Sequence, residues 1–351
     1  MNRQFYYTLG RPFSPLYGWL MQLREKLYQK NILASYSFPV PVISIGNLTM
    51  GGTGKTPMVQ YLARLLQGEG YQPAIISRGY GGATTERINI VSDGQNLLLE
   101  ADYVGDEPRM LAETLPGVFV LTGIVRKLPA AKAVEMGANI LLLDDGFQHF
   151  PLRRDLDLIL FNADTLAGNS RVFPGGDLRE PVRALNRCHA FVLTGADEKN
   201  REQAIPFAAL LQEKFPKKPV FFSTYCSTQI LCQENGQRRI QVTHKELAAR
   251  KCFAFCGIAR PDGFQQTLND NLITPVRFKA LPDHHAYSKK IVTQLLAEAT
   301  DSGADALLVT EKDLAKLNSF KIELPIYTLV MEVIPDLKLN RLVLDCAEKK
   351  K

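Results

Sequence analysis

A glycine-rich segment, GGTGKT at residues 51–56, lies between an apolar run and a helical pattern. Glycines have no Cβ atoms, so the backbone can close around an anion while its N–H groups and the start of a helix supply positive potential. In such a loop Lys55 contacts the outer phosphates of a nucleotide and Thr56 holds Mg²⁺. The usual spacing requires a glycine at position 49, where this chain has Thr49. We therefore predict a variant phosphate-binding loop rather than a plain glycine turn.

Two adjacent carboxylates, Asp144 and Asp145, follow the apolar run ANILLL. In a parallel sheet, side chains at the carboxyl end of a neighbouring strand face the phosphate loop. Carboxylate oxygens at that place bind the Mg²⁺ that accompanies ATP. Taken alone, the pair is equally compatible with an aspartate-rich turn; together with the loop, it predicts an ATP·Mg²⁺ site.

A second pair of carboxylates, Asp106 and Glu107, stands at the start of a predicted helix. Capping of the helix N-terminus would require only one of them. Phosphoryl transfer to a hydroxyl group requires a general base beside the metal ion, and an acid pair can divide these two roles. His284 and His285, in the segment LPDHHAY, are further candidates, the alternative being a structural or solvent-exposed role.

The elements that would position these residues alternate between apolar runs and helical patterns. Apolar strands joined by helices are typical of a parallel α/β sheet that is buried on both faces. Asn235-Gly236 between two short strand-like runs indicates a two-stranded hairpin, beyond which the α/β pattern restarts. The predicted strands are 40–46, 73–77, 118–121, 139–144, 156–161, 189–195, 218–225, 251–259, 304–310 and 324–333. The predicted helices are 55–68, 105–115, 124–136, 200–214, 261–269 and 288–300.

The composition is that of an ordinary globular chain, with 351 residues, 46% hydrophobic and 22% charged. Single hydrophobic cores stop growing at roughly 250 to 300 residues, so this length predicts two lobes. No apolar run reaches the ~18 to 20 residues of a membrane-spanning helix, and we predict no span. The six cysteines are scattered along a chain without a secretory leader, which favours reduced thiols in a cytoplasm.

Residues 1–31 form a basic segment in which apolar side chains recur at helical spacing. The net charge of the whole chain is +6, and five basic residues against one acid fall within this segment. Two interpretations stay open: the apolar stripe packs on the protein's own core, or it lies on an anionic membrane surface. The stripe consists of Leu16, Trp19, Leu20, Leu23 and Leu27.

Nine motifs extend over nearly the whole chain in a fixed order: GNLTMGGTGKTP, SRGYGG, VGDEP, DDGFQH, RDLDLILFNA, FPGGDLREP, FCGIARPDGF, DHHAY and LLVTEKDLAKL. In this order they resemble the tetraacyldisaccharide 4'-kinases, the lipid A 4'-kinases of Gram-negative bacteria. The resemblance implies transfer of the γ-phosphoryl group of ATP to the 4'-hydroxyl group of a tetraacyldisaccharide 1-phosphate, forming lipid IVA. It also favours the membrane interpretation of the first helix, because an acceptor with four acyl chains stays in the bilayer.

The resemblance further implies a role for each matching residue. Asp106 matches the catalytic base, and the histidine that orients it matches His284, with the neighbouring His285 as the open alternative. ATP would contact Gly51, Gly52, Thr53, Gly54, Lys55 and Thr56, with Arg126 and Arg179 near its phosphates. Mg²⁺ would be held by Thr56, Glu107, Asp144 and Asp145. The sugar would face Asn47, Ser77, Arg78, Tyr80, Gln148, His149 and Glu180. Gly175-Gly176-Asp177 departs from the family's usual proline-alanine-glycine in this loop.

The predicted architecture is a P-loop-type parallel sheet domain with helices on both faces, followed by a smaller α/β C-terminal domain. The amphipathic helix of residues 1–31 belongs to the first domain, whose kinase core spans 32–226. A two-stranded linker of 227–242 leads to the C-terminal domain of 243–351. The resemblance implies a peripheral protein on the cytoplasmic face of the bacterial inner membrane.

Two other function classes are less favoured by the residues. A switch ATPase with a GG-x-GKT loop normally carries a lysine before the glycine pair, where this chain has Met50. A nucleic-acid-binding role is suggested only by SRGYGG and the basic charge, and one such hexapeptide is not a repeat. The expected partners are therefore the acylated disaccharide 1-phosphate and an anionic membrane surface, with no nucleic acid and no obligate protein partner.

Overall fold

The structure, a computed structural model, describes residues 3–84, 86–234, 240–258, 261–283 and 285–350. The chain divides into two compact units, Met1–Tyr225 with Val333–Lys351, and Cys226–Glu332. Strands and helices alternate along both units, which confirms the predicted α/β class.

The strands and helices are numbered along the chain. The strands are β1 Val42–Asn47, β2 Pro73–Ser77, β3 Asn89–Asp93, β4 Phe119–Thr122, β5 Ile140–Asp144, β6 Leu156–Asn162, β7 Ala190–Thr194, β8 Val220–Gln233, β9 Ile240–Val242, β10 Cys252–Cys256, β11 Arg277–Ala280, β12 Ala306–Val309 and β13 Ile326–Pro335. The helices are α1 Arg3–Gly10, α2 Ser14–Gln29, α3 Lys55–Gly68, α4 Ala101–Val104, α5 Asp106–Thr114, α6 Lys127–Glu135, α7 Arg201–Lys214, α8 His244–Ala248, α9 Pro261–Asp270, α10 Lys289–Asp301, α11 Glu311–Leu317 and α12 Leu337–Glu348. Short 3₁₀ turns cover Arg11–Phe13 and Val182–Arg187.

The sheet of the first unit has the strand order β8-β7-β6-β1-β5-β2-β4-β3. All neighbours are parallel except the edge strand β3, which pairs antiparallel with β4. Strands β1 and β5 are adjacent, with Ile45 opposite Asp144. Because parallel strands end at one edge of the sheet, the loop after β1 and the acid pair after β5 meet there.

Helices cover both faces of this sheet, which explains why its strands are continuous apolar runs. In β5, Ile140 and Leu142 belong to the core that also contains buried residues of α3, α5 and α12. The alternate residues Leu141 and Leu143 pack in a separate cluster with Ala130 of α6. These four apolar side chains of β5 are fully buried, and each contributes roughly 1.5 to 3 kcal/mol through the hydrophobic effect.

The second unit repeats the same layered plan on a smaller scale. Strands β11, β10, β12 and β13 form a parallel sheet in that order. Its two faces are covered by α8 and α9 on one side and by α10 and α11 on the other. Strand β9 pairs antiparallel with the distal half of β8, as a hairpin requires, although the predicted Asn235-Gly236 turn lies outside the described residues.

The end of the chain differs from the predicted 243–351 domain. Residues Val333–Lys351 belong to the first unit rather than to the second. Leu339 and Val343 of α12 are fully buried in the same core as β1 and β5. The buried side chains of α12 therefore stabilise the sheet that carries the phosphate loop, although the helix and the loop are far apart in the sequence.

The N-terminal segment exposes its apolar stripe. Leu16, Trp19 and Leu20 leave 59%, 57% and 44% of their surface in solvent, and Leu23 is also exposed. Side chains of the core expose close to none of their surface. The interpretation that the stripe packs on the core is therefore wrong for these four residues. No helix within the described ranges has the length and apolar character needed to cross a bilayer.

Candidate active site

The phosphate-binding loop leads directly from β1 into α3. Gly51 and Gly54 have φ angles of 121° and 77°, backbone conformations that glycine adopts without strain. No described side chain caps the N-terminus of α3, which begins at Lys55. Among the residues described, no side chain therefore competes with an anion for its first N–H groups.

Two residues that the motifs did not reveal support this loop. A Cβ atom on Gly54 would overlap the hydroxyl oxygen of Tyr225, and the φ of 77° at this position also favours glycine. The Thr194 hydroxyl donates a hydrogen bond of 2.9 Å to the carbonyl oxygen of Thr53. Both contacts come from neighbouring strands β7 and β8, and local sequence carries no signal for them.

Asn47 and Gln148, predicted to face the sugar, contact the loop backbone. The Asn47 side chain is fully buried, and its Nδ2 donates to the carbonyl oxygen of Thr49 at 2.7 Å. Gln148 Nε2 donates to the carbonyl oxygen of Asn47 at 3.0 Å. These bonds fix the start of the loop against the turn that follows β5.

Asp145 is the point at which the cationic residues of the site converge. Arg179 Nη1 lies 2.9 and 2.7 Å from its two carboxylate oxygens, and Lys55 Nζ lies 3.7 Å away. Arg126 Nη1 donates to the Asp145 carbonyl oxygen at 3.0 Å. Burial opposes ionisation of the Asp145 carboxyl, but Lys55 and Arg179 outweigh it and lower its pKa. Four predicted site residues are thus brought together.

Asp144 has the opposite electrostatic environment. Burial raises its pKa to about 7, and the neighbouring carboxylates of Glu107 and Asp145 add to the shift, while Lys55 opposes it. Burial and the two neighbouring carboxylates both disfavour a charged Asp144, and a divalent cation bound beside it would favour the charged form. In the described part of the chain, no three His, Cys, Asp or Glu side chains are grouped to hold a metal ion. Two carboxylates with the remaining ligands from ATP are the usual set for Mg²⁺.

The segment SRGYGG lies against the turn that begins α5. A Cβ atom on Gly105 would overlap the carbonyl oxygen of Tyr80, and one on Gly82 would approach that of Tyr103 at 2.5 Å. This close packing places the predicted sugar-facing segment beside Asp106, the first residue of α5. Ser77 is buried, whereas the Tyr80 side chain is 76% exposed.

Arg126 and His149 form the interior of the site. Arg126 is only 5% exposed, and burial lowers the pKa of its guanidinium although Asp144 and Asp145 oppose the shift. Burial also lowers the pKa of His149 to about 3, with Arg126 as the next cause. His149 is therefore neutral near pH 7, and its buried Nε2 has no hydrogen-bond partner among the described residues.

Glu180 was predicted to face the sugar, but the structure places it in a buried ion pair. Its side chain is 2% exposed, and Arg187 Nη2 lies 3.0 Å from each carboxylate oxygen. The Arg187 guanidinium also stacks 4.4 Å from the ring centre of Phe147 and pairs with Glu25 of α2 at 3.2 Å. The Glu180 carboxylate is therefore paired with an arginine inside the protein and is largely shielded from solvent.

The DHHAY segment belongs to the second unit, and predicted His284 lies outside the described residues. The residues beside it contact α11: Lys312 Nζ lies 3.5 Å from Asp283, and Lys316 Nζ donates to the His285 carbonyl oxygen at 3.0 Å. The His285 ring packs edge-on against another aromatic ring, that of Tyr287, at 5.8 Å.

Comparison with known proteins gives consistent results along nearly the whole chain. The family model described as tetraacyldisaccharide-1-P 4'-kinase, LpxK, matches residues 6–347. A tetraacyldisaccharide 4'-kinase of Desulfotalea psychrophila is 47% identical, covering 93% of this chain and 92% of that protein. Another tetraacyldisaccharide 4'-kinase, of Syntrophus aciditrophicus, is 38% identical, covering 98% of this chain and 94% of that protein. A crystal structure of LpxK from Aquifex aeolicus in complex with ATP is similar, with a TM-score of 0.76 and 32% identity, over 96% of this chain and 98% of that one.

Proposed function

The chain belongs to the tetraacyldisaccharide 4'-kinase family, and from this premise we propose a role for each residue of the site. The protein is an ATP-dependent kinase that uses Mg²⁺. It transfers the γ-phosphoryl group of ATP to the 4'-hydroxyl group of a tetraacyldisaccharide 1-phosphate, in lipid A biosynthesis. The convergence of Lys55, Arg126 and Arg179 on the Asp144-Asp145 turn is the observation that supports this chemistry.

Asp106 is the proposed general base of the transfer. It accepts the proton of the 4'-hydroxyl group while the 4'-oxygen bonds to the γ-phosphorus and the bond from that phosphorus to the ADP oxygen breaks. Its place at the start of α5, beside the Arg78–Tyr80 segment, suits a group that must meet a sugar. The resemblance assigns the orientation of Asp106 to His284, with His285 as the alternative, and this assignment stays a proposal.

The basic residues are proposed to hold the phosphates. Lys55 and the backbone of Gly51–Thr56 contact the outer phosphates, and Arg126 and Arg179 balance charge on the transferred group. Asp145 holds Lys55 and Arg179 on one carboxylate, which orients both cations before ATP binds. Preorganised cations avoid the cost of rearrangement during the reaction.

Glu107 and Asp144, with the Thr56 hydroxyl, are the residues that would hold Mg²⁺, and Asp145 carries Lys55 and Arg179 beside them. The ion supplies positive charge that neutralises the phosphates during transfer. The raised pKa of Asp144 supports this assignment, because burial and then the nearby Glu107 and Asp145 carboxylates disfavour its charge, and a bound cation would offset both. Asp144 must lose its proton for that role.

The exposed apolar face of α1, α2 and the 3₁₀ turn between them is proposed to dock on an anionic membrane at the cytoplasmic face of the inner membrane. It combines Phe5, Leu9, Phe13, Leu16, Trp19, Leu20 and Leu23, all exposed. A groove of about 620 Å³ lies beside it, lined by Arg11, Trp19 and Arg171 among others. Apolar side chains with basic neighbours favour an anionic bilayer, where the acylated acceptor resides.

ATP consumption with and without acceptor tests this function. The proposal predicts one ADP formed for each acylated disaccharide 1-phosphate converted in detergent micelles, and little turnover without it. A switch ATPase would hydrolyse ATP at the same rate in both reactions. Equal rates with no phosphorylated lipid would contradict the proposed function.

A further inference from the structure

We propose that the N-terminal segment, residues 3–29, positions the phosphate site in addition to docking on the membrane. It does so through the loop of residues 172–181, called here the arginine loop because it carries Arg179. This inference rests on the proposed function, since it assigns positioning residues for the same phosphoryl transfer. A continuous set of contacts within the first unit joins the N-terminal segment to the phosphate site.

Side-chain hydroxyl groups of the N-terminal segment bond to the arginine loop at successive places. The Tyr7 hydroxyl donates to Asp177 Oδ1 at 2.6 Å. The Ser14 hydroxyl donates to the carbonyl oxygen of Val172 at 2.8 Å and accepts from the Gly175 N–H at 2.9 Å. One serine therefore bonds to two backbone groups of the arginine loop.

Tyr17 reaches the residue that enters the phosphate site. Its hydroxyl donates to the carbonyl oxygen of Arg179 at 3.1 Å, and its ring packs edge-on against Phe173 at 5.4 Å. Burial raises the pKa of Tyr17, and the nearby Glu180 carboxylate raises it further. The hydroxyl group thus remains a donor throughout the neutral pH range.

The backbones of the segment and the loop are too close for side chains at two positions. A Cβ atom on Gly10 would overlap the carbonyl oxygen of Pro174, and one on Gly175 would lie 2.5 Å from the Ser14 oxygen. Gly175 is one of the residues that depart from the family's usual loop. Here the glycine permits direct contact with α2, which gives the departure a physical reason.

The other side of the arginine loop contacts the phosphate site. The Met50 N–H donates to the carbonyl oxygen of Asp177 at 2.7 Å, and the Arg179 N–H donates to that of Leu48 at 2.8 Å. These bonds attach the loop to the segment between β1 and the glycines. The Arg179 guanidinium then contacts Asp145 at 2.7 Å. Asp177 and Arg179 are therefore each held by a tyrosine on one side and by the phosphate loop on the other.

The positioning and docking roles use different side chains of the same helices. The exposed residues Leu16, Trp19 and Leu20 belong to the docking face, whereas Tyr7, Ser14 and Tyr17 bond to the arginine loop. Substitutions can therefore remove one role and keep the other. A segment that only anchors the protein has no influence on turnover of an acceptor that is free in solution.

The test is a Tyr7→Phe/Tyr17→Phe variant assayed with a short-chain, water-soluble acceptor in the absence of vesicles. Each change removes one hydroxyl group and keeps the ring. We expect at least about a fivefold loss of kcat/KM, because small misplacements of charged groups reduce rates strongly. The loss should fall on kcat and on the KM for ATP, with vesicle binding and the thermal midpoint near wild type.

Tyr28→Phe is the matched control, because Tyr28 lies on α2 but stacks on Phe150 instead of bonding to the arginine loop. A double-mutant cycle of Tyr17→Phe with Arg179→Lys adds a coupling readout, and we expect the two losses to be less than additive. Additive losses, wild-type kcat/KM on the soluble acceptor, or a loss explained by unfolding would each overturn the inference. If wild-type protein itself does not phosphorylate the acceptor, the proposed function fails instead.

Discussion

The docking face of α2 should contribute a measurable part of the affinity for anionic vesicles. Leu16 and Trp19 expose 59% and 57% of their surface. Full burial of such side chains is worth about 2 and about 3 kcal/mol, so transfer of the exposed fractions into lipid is worth about 1.2 and about 1.7 kcal/mol. Leu16→Ser/Trp19→Ser should therefore weaken vesicle binding by about 3 kcal/mol, or roughly a hundredfold.

Co-sedimentation with anionic vesicles measures this loss, and thermal unfolding measures its cost to the fold. Stability should fall by only about 1 kcal/mol per site, because more than half of each side chain is already in solvent. Buried positions would lose roughly 2 to 5 kcal/mol each. Ile205→Ser/Leu210→Ser on α7 is the control, with 50% and 42% exposure at positions that are not among the docking residues. Unchanged sedimentation with a large fall in the thermal midpoint would refute the reasoning.

Three further predictions concern the interior of the two units. Lys55→Ala should lower turnover at least about a hundredfold, or on the order of 3 kcal/mol, and near-normal turnover in the folded variant would remove Lys55 from the phosphate site. Because the pKa of Asp144 is raised to about 7, protonation of its carboxyl stabilises the Mg²⁺-free folded protein. The free energy of unfolding of the Mg²⁺-free protein should therefore fall as pH rises from about 4 to 7. The affinity for Mg²⁺ should increase through pH 7, because Asp144 must be ionised to bind the ion. Asp144→Asn should flatten that slope in urea titrations and shift the magnesium requirement; identical profiles would contradict both roles. In the second unit, the fully buried Asp313 carboxylate accepts hydrogen bonds from the Gly257 N–H at 3.0 Å, the Tyr287 hydroxyl at 2.9 Å and the Thr310 hydroxyl at 2.6 Å. Asp313→Ala should therefore lower the free energy of unfolding by about 3 kcal/mol, measured by urea denaturation. An unchanged urea midpoint would exclude a structural role for Asp313.

Local pattern predicted most of the sheet and the centre of the site. The apolar runs of β1 and β5 and the glycines between β1 and α3 are local signals, and strand adjacency then brings the two loops together. The short edge strand β3, NIVSD, was not predicted because polar residues at both ends interrupt its apolar pattern. Helix α12 was not among the predicted helices either.

Contacts between distant segments could not be predicted from the sequence. Arg179 and Asp145 were predicted separately, as a phosphate-binding residue and a metal ligand, and no spacing indicates that they pair. The support of Gly54 by Tyr225 depends on the order of the strands, which sequence does not specify. Glu180 was assigned by motif alone, whereas its partner Arg187 becomes visible only in the folded chain.

The most direct test of the account follows the labelled γ-phosphoryl group of ATP into the acceptor. Wild-type protein, Mg²⁺ and tetraacyldisaccharide 1-phosphate should give one lipid product with the label at the 4'-position, located by NMR and mass spectrometry, and the Asp106→Asn variant should form it far more slowly. Label recovered as inorganic phosphate, or at another hydroxyl group, would contradict the assignment of this site to 4'-phosphorylation.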